Sequence, residues 1–337
     1  MSSNSAAWLV SPKSHHFQVK EAPTWKPSPD EILVKNHAVA INPVDGSIQS
    51  KAWWPLTYPT ILGHDIAGEV AAIGSNITRF KPGDRVLGQA VAMSSKRVED
   101  AAFQAYTLIA SNLASSIPDD LSYERAVVLP LGMSTAACGL FQEDTLKLQH
   151  PTEPRAQPTG QSLLVWGGAS SVGSNAIQLA VAAGYEVYTT ASTKNFAYVK
   201  TLGAAAVFDY HSTTVVEDLL NALKGKSLAG GLDCIGAEAT TQTVEVIRRS
   251  EGVKVVATTK SASVDEGVSV KRIFGSTLKD NEVGKAIYED FLPKALEAKS
   301  YLAAPEPLVV GSGLGSIQEA VDVQAKGTSA RKVVVSL

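Results

Sequence analysis

The stretch Gln161–Ser192, QSLLVWGGASSVGSNAIQLAVAAGYEVYTTAS, constrains this chain more than any other. A short apolar run, Leu163 to Trp166, breaks at Gly167 and Gly168. An alternating small and apolar pattern then continues from Ser171 to Ala183. Gly184 closes it, and a second strand-like run follows from Glu186 to Thr190. Strand, glycine turn, helix and strand make one right-handed βαβ unit whose first turn can accept a dinucleotide pyrophosphate. Ala169, Ser170, Ser171 and Val172 fall where the new helix offers backbone N–H groups and the positive end of its dipole to a phosphate. Gly173 lets the helix pack close to the sheet. Read from Gly168 against G-x-G-x-x-G, Ser170 stands in the middle place and Gly173 in the third. The glycines alone would mark only a tight turn; the flanking strands and helix point to a bound dinucleotide.

The 337 residues suffice for two domains. A hydrophobic content of 45% and a charged content of 19% describe an ordinary folded protein. A net charge of −3 argues against a nucleic-acid or anionic-membrane partner. No apolar run reaches the roughly 18 residues of a membrane span, and the N-terminal MSSNSAAWLVSPKSHH lacks the charged start and apolar middle of a signal peptide. Two cysteines, Cys138 and Cys234, exclude a disulfide framework and fit a reducing cytoplasm.

The first ~130 residues read as short strands and turns: Glu31 to Lys35, His37 to Ile41, Gly63 to Gly74, and Arg85 to Leu87 after the turn Lys81 to Asp84. From Ser122 to Phe141 a helical pattern of small residues marks the crossing into a second domain, and Pro130 predicts a kink or break within it. After the βαβ unit, helices at Phe196 to Gly203 and Val215 to Leu223 alternate with strand runs at Ala206 to Tyr210, Gly231 to Ile235 and Val253 to Ala257. Ile273 to Thr277 reads as an edge strand. This alternation predicts an α/β, doubly wound parallel sheet. Helices at Ala286 to Lys299 and Ile317 to Ala325 and a last strand, Lys332 to Ser336, are expected to return to the β-rich domain, leaving a cleft between the two. The expected division is residues 1–130 with 280–337, and residues 131–279.

Asn42-Pro43-Val44-Asp45, Gly63-His-Asp-Ile-Ala-Gly-Glu-Val70, Gly83-Asp-Arg-Val86 and the glycine-turn stretch occur in the order typical of medium-chain dehydrogenases/reductases. The chain resembles that superfamily over nearly its whole length. Within it the chain is similar to the zinc-independent quinone oxidoreductase and enoyl reductase branch, and most similar to fungal trans-acting enoyl reductases. The resemblance implies a Rossmann cofactor domain and a GroES-like catalytic domain built from both ends of the chain. It also implies a small-molecule or carrier-bound acyl substrate, a polyketide synthase as partner, and a monomer or a homodimer.

Proteins of this kind often carry the label of zinc-binding dehydrogenases, so the metal needs its own argument. Catalytic zinc needs Cys, His and Cys or a carboxylate converging on one ion. By motif alignment those places hold Asn42, His64 and about Leu131, and Leu87 to Tyr106 contains no cysteine for a structural zinc. The expectation is no metal, with His64 a hydrogen-bonded histidine. Without a Lewis acid, reduction of a double bond conjugated to a carbonyl is favoured over reduction of a simple ketone, because the charge spreads into an enolate that a few hydrogen bonds can hold.

An NAD-preferring site places Asp or Glu at the end of the second strand. Here Thr190, Ala191 and Ser192 stand there, followed by Thr193, Lys194 and Asn195, and no acid occurs from Val187 through Phe208. Ser192 can donate to a 2′-phosphate and Lys194 can supply charge, which favours NADPH. The resemblance adds Tyr210 as a further phosphate partner, Asn42 to Asp45 and Thr135 at the nicotinamide side, and Pro130 and Leu131 near the substrate. Ala257 and Thr258 follow a parallel strand and are expected to border the cofactor. Phe274, Gly275, Ser276, Thr277 and Leu278 are expected to form a substrate wall. No proton donor stands out: Tyr58 is one candidate and water is preferred. The expected activity is NADPH-dependent reduction of an enoyl thioester or another α,β-unsaturated carbonyl. The alternatives are an NADPH:quinone oxidoreductase and a cofactor-holding interaction protein with no redox role.

Overall fold

In the second part of the chain six strands run parallel in the spatial order Ala206–Asp209, Glu186–Ala191, Ser162–Trp166, Ser227–Asp233, Val255–Thr258, Ser269–Arg272. A computed structural model describes residues 3–260 and 267–337 and divides them into two compact units. Gly132–Leu302 form the unit with the parallel sheet; Met1–Leu131 with Ala303–Leu337 form the other. The strand order of the parallel sheet reverses beside Ser162–Trp166, whose neighbours are Glu186–Ala191 and Ser227–Asp233. That is the doubly wound order, and ligands bind outside the carboxyl ends of the strands at such a switch point. The sheet forms because its strands are apolar on both faces: Leu163, Leu164, Val165, Val187, Leu232 and Val256 are fully buried. The helices Val215–Ala222 and Glu238–Arg249 lay Leu219, Val244 and Ile247 against Leu164, Trp166 and Tyr188.

In the first unit, a sheet in the order Glu306–Ser312, Arg331–Ser336, Glu31–Ala40, Asp65–Ile73, Arg85–Gln89, Ala114–Ser116 is antiparallel apart from its first pair. Tyr106–Ala110 also pairs with Glu31–Ala40. A smaller three-stranded sheet contains Asn4–Leu9 at its centre. The runs read as two strands, Glu31 to Lys35 and His37 to Ile41, are one strand with a register shift between Asn36 and Ala38. Asn36 marks the irregularity: its amide turns inward and donates to the Gln104 carbonyl at 2.7 Å and to Thr107 Oγ1 at 2.8 Å.

Three expectations need correction. The edge strand is Ser269–Arg272, not Ile273 to Thr277. Beyond Ile273 the chain turns, with the Phe274 carbonyl accepting from Thr277 N and Oγ1, and a short 3₁₀ helix follows at Thr277–Asp280. The helical run from Ala286 is in pieces: Glu282–Lys285, a π turn at Ala286–Phe291 and Leu292–Glu297. Pro293 supplies no N–H to the ladder, which accounts for a break there. Residues 280–302, grouped by sequence with the last strands, pack in the second unit. The Tyr288 hydroxyl meets Ser134 Oγ at 2.7 Å, Tyr301 donates to Asn175 Oδ1 at 2.6 Å, and the Leu302 amide donates to Gln178 Oε1. Burial of Tyr288, Phe291 and Tyr301 holds the segment in that core. The break at Pro130 is real: helix Tyr123–Ala126 ends before it and helix Pro130–Phe141 starts on it, where a missing N–H costs nothing.

Candidate active site

In the second unit, three glycines shape the turn at the end of Ser162–Trp166. Gly167 has φ +86°, and a Cβ there would lie 2.6 Å from Ile235. A Cβ on Gly168 would meet Thr189 Oγ1 at 2.2 Å, and one on Gly173 the Gly167 carbonyl oxygen at 2.2 Å. At Gly173 backbone meets backbone, and at Gly167 and Gly168 neighbouring side chains already fill the space a Cβ would take. The amides of Gly167 and Gly168 are pinned to Thr190 of the neighbouring strand.

Ser170 is the N-cap of helix Ser171–Ala182: its hydroxyl accepts from Gly173 N at 3.0 Å and donates to the Gly167 carbonyl at 2.8 Å. The Ser170 side chain therefore closes the helix, and its own carbonyl takes the amide of Ser174. Helix geometry leaves the Ser171 and Val172 amides at the open end, half-buried, beside the turn residue Ala169. A phosphate would meet backbone donors and a positive dipole there.

The parallel register pairs Ala191 with Asp209. Ser192 and Tyr210 thus leave adjacent strands side by side. Ser192 opens the short turn Thr193–Asn195, and its hydroxyl accepts from Asn195 Nδ2 at 3.2 Å. Lys194 is exposed, and Tyr210 is 43% exposed, with its ring against His211. The nearest carboxylate in this register, Asp209, accepts from His211 N and Nδ1, which hold it below its ordinary pKa. Ala257 and Thr258 end their strand fully buried. The Thr258 hydroxyl turns to Asp233 Oδ2 at 2.9 Å, so it serves the protein's own framework.

Asp233 is a residue the sequence reading missed. Fully buried at the carboxyl end of Ser227–Asp233, it accepts from the amides of Ile235 and Gly236 and the hydroxyls of Thr240 and Thr258. It fixes the loop that carries Ile235, 49% exposed, to the glycine turn. Its signal was one acid ending an apolar run ahead of Gly236.

Along helix Pro130–Phe141, Thr135 alone from Gly132 onward is not buried. Phe274 to Leu278 pack on the same helix: Cys138 Sγ donates to the Phe274 carbonyl and lies 3.4 Å from Thr277 Oγ1, and Gln142 Nε2 donates to Thr277. Gly275 is half-buried; Ser276 and Leu278 are buried. Burial pushes the Cys138 thiol up to about 11 and the Cys234 thiol well above its ordinary value, so neither is a thiolate at neutral pH.

In the first unit, Asn42 to Asp45 open helix Pro43–Lys51 with Pro43 in its first turn and Val44 behind it. Asp45 Oδ2 accepts the Asn42 amide at 2.8 Å, and Asp45 Oδ1 accepts from His64 Nδ1 at 2.9 Å. Asp65 Oδ2 accepts from Asn42 Nδ2 at 2.8 Å and from Lys332 Nζ at 2.9 Å, while Lys332 also donates to Asn42 Oδ1. Asp65 Oδ1 takes the Leu131 amide at 2.6 Å, which binds the first turn of helix Pro130–Phe141. All five residues are at most 4% exposed. Burial drags the His64 pKa down, but the charge and hydrogen bond of Asp45 and the charge of Asp65 more than offset it, and the net movement is upward. The Tyr58 hydroxyl is buried without a hydrogen-bond partner. Trp54 donates to the Met93 carbonyl, and Trp53 is 44% exposed.

Residues 28–146 match the family model of the alcohol dehydrogenase GroES-like domain and residues 171–289 that of the zinc-binding dehydrogenase. A zinc-binding alcohol dehydrogenase domain-containing protein, cipB of Emericella nidulans, is 61% identical over 99% of this chain and 98% of its own length. The chain belongs to the medium-chain dehydrogenase/reductase superfamily. Another member, the trans-enoyl reductase himH of Aspergillus japonicus, is 37% identical over 99% of this chain and 97% of its own. An alcohol dehydrogenase superfamily protein of Novosphingobium aromaticivorans shares the fold, with TM-score 0.81 at 22% identity over 99% of each chain. The superfamily's nicotinamide cofactor fits the glycine turn, whose three contacts exclude side chains and whose helix end offers amides.

The zinc named in the second family model does not fit the donors present. Asn42 Oδ1 is taken by an ammonium and Asn42 Nδ2 donates to Asp65, while Leu131, in the third place, has no donor side chain, which leaves His64 as the one ligand of the three. Among the described residues no group of three or more His, Cys, Asp or Glu side chains is arranged to hold a metal. Among those residues, too, no helix is long and apolar enough to cross a membrane.

Proposed function

We propose that this chain is an NADPH-dependent, zinc-independent reductase of a carbon–carbon double bond conjugated to a carbonyl, with an enoyl thioester as its substrate class. The observation that carries the reaction class is the donor pocket of the first unit, filled by its own ammonium, Lys332, between Asn42 and Asp65. A ketone reduced to an alkoxide calls for a Lewis acid or a strong donor at the oxygen, whereas an enolate is held by ordinary hydrogen bonds. Kinship with trans-enoyl reductases such as himH supports the same reading, with a carrier-tethered acyl chain and a polyketide synthase as the corresponding substrate form and partner.

The cofactor preference rests on the acid-free end of Glu186–Ala191 and the turn after it. Ser192 Oγ and Lys194 Nζ would hold a 2′-phosphate, with Tyr210 beside it, and the amides of Ser171 and Val172 would take the pyrophosphate. Bound NADPH supplies the hydride that reaches the β-carbon of the acceptor. The protein's part is positioning and exclusion of water, and the α-carbon takes its proton from water. Within the second unit, Thr135, the half-buried position of its helix, is the residue we assign to the nicotinamide, and Phe274 to Leu278, packed on the same helix, are assigned to the acceptor.

Initial-rate assays of crotonyl and hexenoyl thioesters against 1,4-quinones, each with NADPH and NADH, test the reading. Turnover of thioesters with NADPH is expected. Activity on quinones alone would end the enoyl assignment, and no redox activity on either would favour a cofactor-holding interaction protein.

A further inference from the structure

The last strand of the first unit, Arg331–Ser336, reads RKVVVS, and its lysine, which three valines follow in sequence, is buried. An ammonium withdrawn from water so completely persists only where carboxylate or carbonyl oxygens replace the lost solvent. Lys332 has both, Asp65 Oδ2 at 2.9 Å and Asn42 Oδ1. From this one group two routes lead outward. Asn42 is the N-cap residue of helix Pro43–Lys51, and its amide is tied to Asp45. Asp65 holds the Leu131 amide in the first turn of helix Pro130–Phe141. Both helix starts are segments assigned above to cofactor and substrate, yet Lys332 lies in neither helix.

The Lys332 ammonium matches the charge of Asp65, and the His64 ring matches that of Asp45 when it is protonated. Removing the ammonium would leave Asp65 buried with amide donors alone, and Asn42 would lose the group that fixes its side-chain oxygen.

We propose that Lys332 is the resident cation of this pocket and a positioning residue for the reaction. Its ammonium gathers Asn42 and Asp65 as a metal ion gathers its ligands, and so sets the first turns of the two helices. This rests on the reductase reading above. The rival explanation is that Lys332 merely fills volume, which Met would do equally well.

The test uses the full chain with Lys332→Met, Lys332→Ala and Lys332→Arg, each checked for folding by circular dichroism and thermal unfolding. NADPH affinity is read by fluorescence, and kcat and KM for hexenoyl thioester are read separately. Met and Ala should lower kcat/KM at least about tenfold, with NADPH affinity within about threefold of wild type, because the glycine-turn residues belong to the other unit. Arg should keep activity within about threefold of wild type. Added propylammonium should restore Lys332→Ala in a saturable way, and neutral propanol should not. Wild-type activity in the Met variant would overturn the proposal, as would equal rescue by propanol or stoichiometric zinc bound at His64 in the wild type. Should the Met and Ala variants fail to fold, the Arg variant decides: folded protein with activity lost tenfold at unchanged NADPH affinity would overturn it. A wild type active only on quinones would defeat the reductase reading separately, and the same variants would then be compared on the quinone.

Discussion

Replacing Gly173 by Ala puts the glycine turn to a quantitative test. Gly173 lies in the first turn of helix Ser171–Ala182, where Ala would ordinarily stabilise by about 1 kcal/mol relative to Gly. Here the added Cβ would stand 2.2 Å from the Gly167 carbonyl oxygen and 2.7 Å from Gly168 Cα. Ordinary contact begins at 3.4 Å, and both obstacles are backbone. Turn and helix must part by about 1 Å, a strain of about 1–3 kcal/mol or more for overpacking. The clash wins, and a net loss of about 1–2 kcal/mol corresponds to roughly 2–8 °C in Tm for a unit of this size. Binding suffers further, because the Ser171 and Val172 amides move with the helix. Misaligning even one charge-assisted hydrogen bond to a phosphate costs about 1.5–3 kcal/mol, or roughly 10- to 150-fold in Kd. Gly315→Ala is the control, since nothing lies within 4 Å of a Cβ there. NADPH fluorescence titration and thermal unfolding of both variants would measure the effects. If Gly173→Ala bound NADPH with wild-type affinity and an unchanged Tm, the close-approach argument for this turn would fail.

Lys194→Ala should weaken NADPH binding about five- to tenfold and leave NADH unchanged. An exposed ammonium facing a phosphate is worth about 1 kcal/mol in water, and the difference should shrink in high salt; isothermal titration at two ionic strengths measures it, and equal losses for both cofactors would remove Lys194 from the phosphate site. His64 should make stability depend on pH. Its folded-state pKa is raised above the ordinary 6.5, so its contribution is complete below that value and disappears as pH rises through the raised pKa. Urea unfolding between about pH 6 and 9 should show that decline in wild type and a flatter profile in His64→Gln.

The cofactor half of the molecule was legible in the sequence because its signals are local. An apolar run, a glycine turn and a small-residue helix within thirty positions leave few alternatives, and the strand and helix assignments from Ser162 to Asp209 needed adjustment only at their ends. The failures came where small residues gave no period to read. Phe274-Gly275-Ser276 could be strand or turn, and the bonds that settle it, Cys138 to Phe274 and Gln142 to Thr277, come from the end of a helix and the residue just past it, more than a hundred residues earlier. Residues 280–302 failed similarly, since their place is decided by Tyr288 and Tyr301 meeting Ser134 and Asn175. In the first unit, His64 was expected to be hydrogen-bonded, and Asp45 is its partner. Asp65 and Lys332 went unread because a buried ion pair between positions so far apart leaves no local pattern. The one available hint was a lysine preceding three valines in the last strand.

The most direct test of the central claim follows the hydride itself. With NADPH deuterated at the transferred C4 position and hexenoyl thioester as acceptor, the saturated product should carry one deuterium at its β-carbon, its new α-hydrogen should come from solvent, and a metal chelator should leave the rate unchanged. Saturated product without deuterium at the β-carbon, or turnover abolished by the chelator and restored by zinc, would contradict the account.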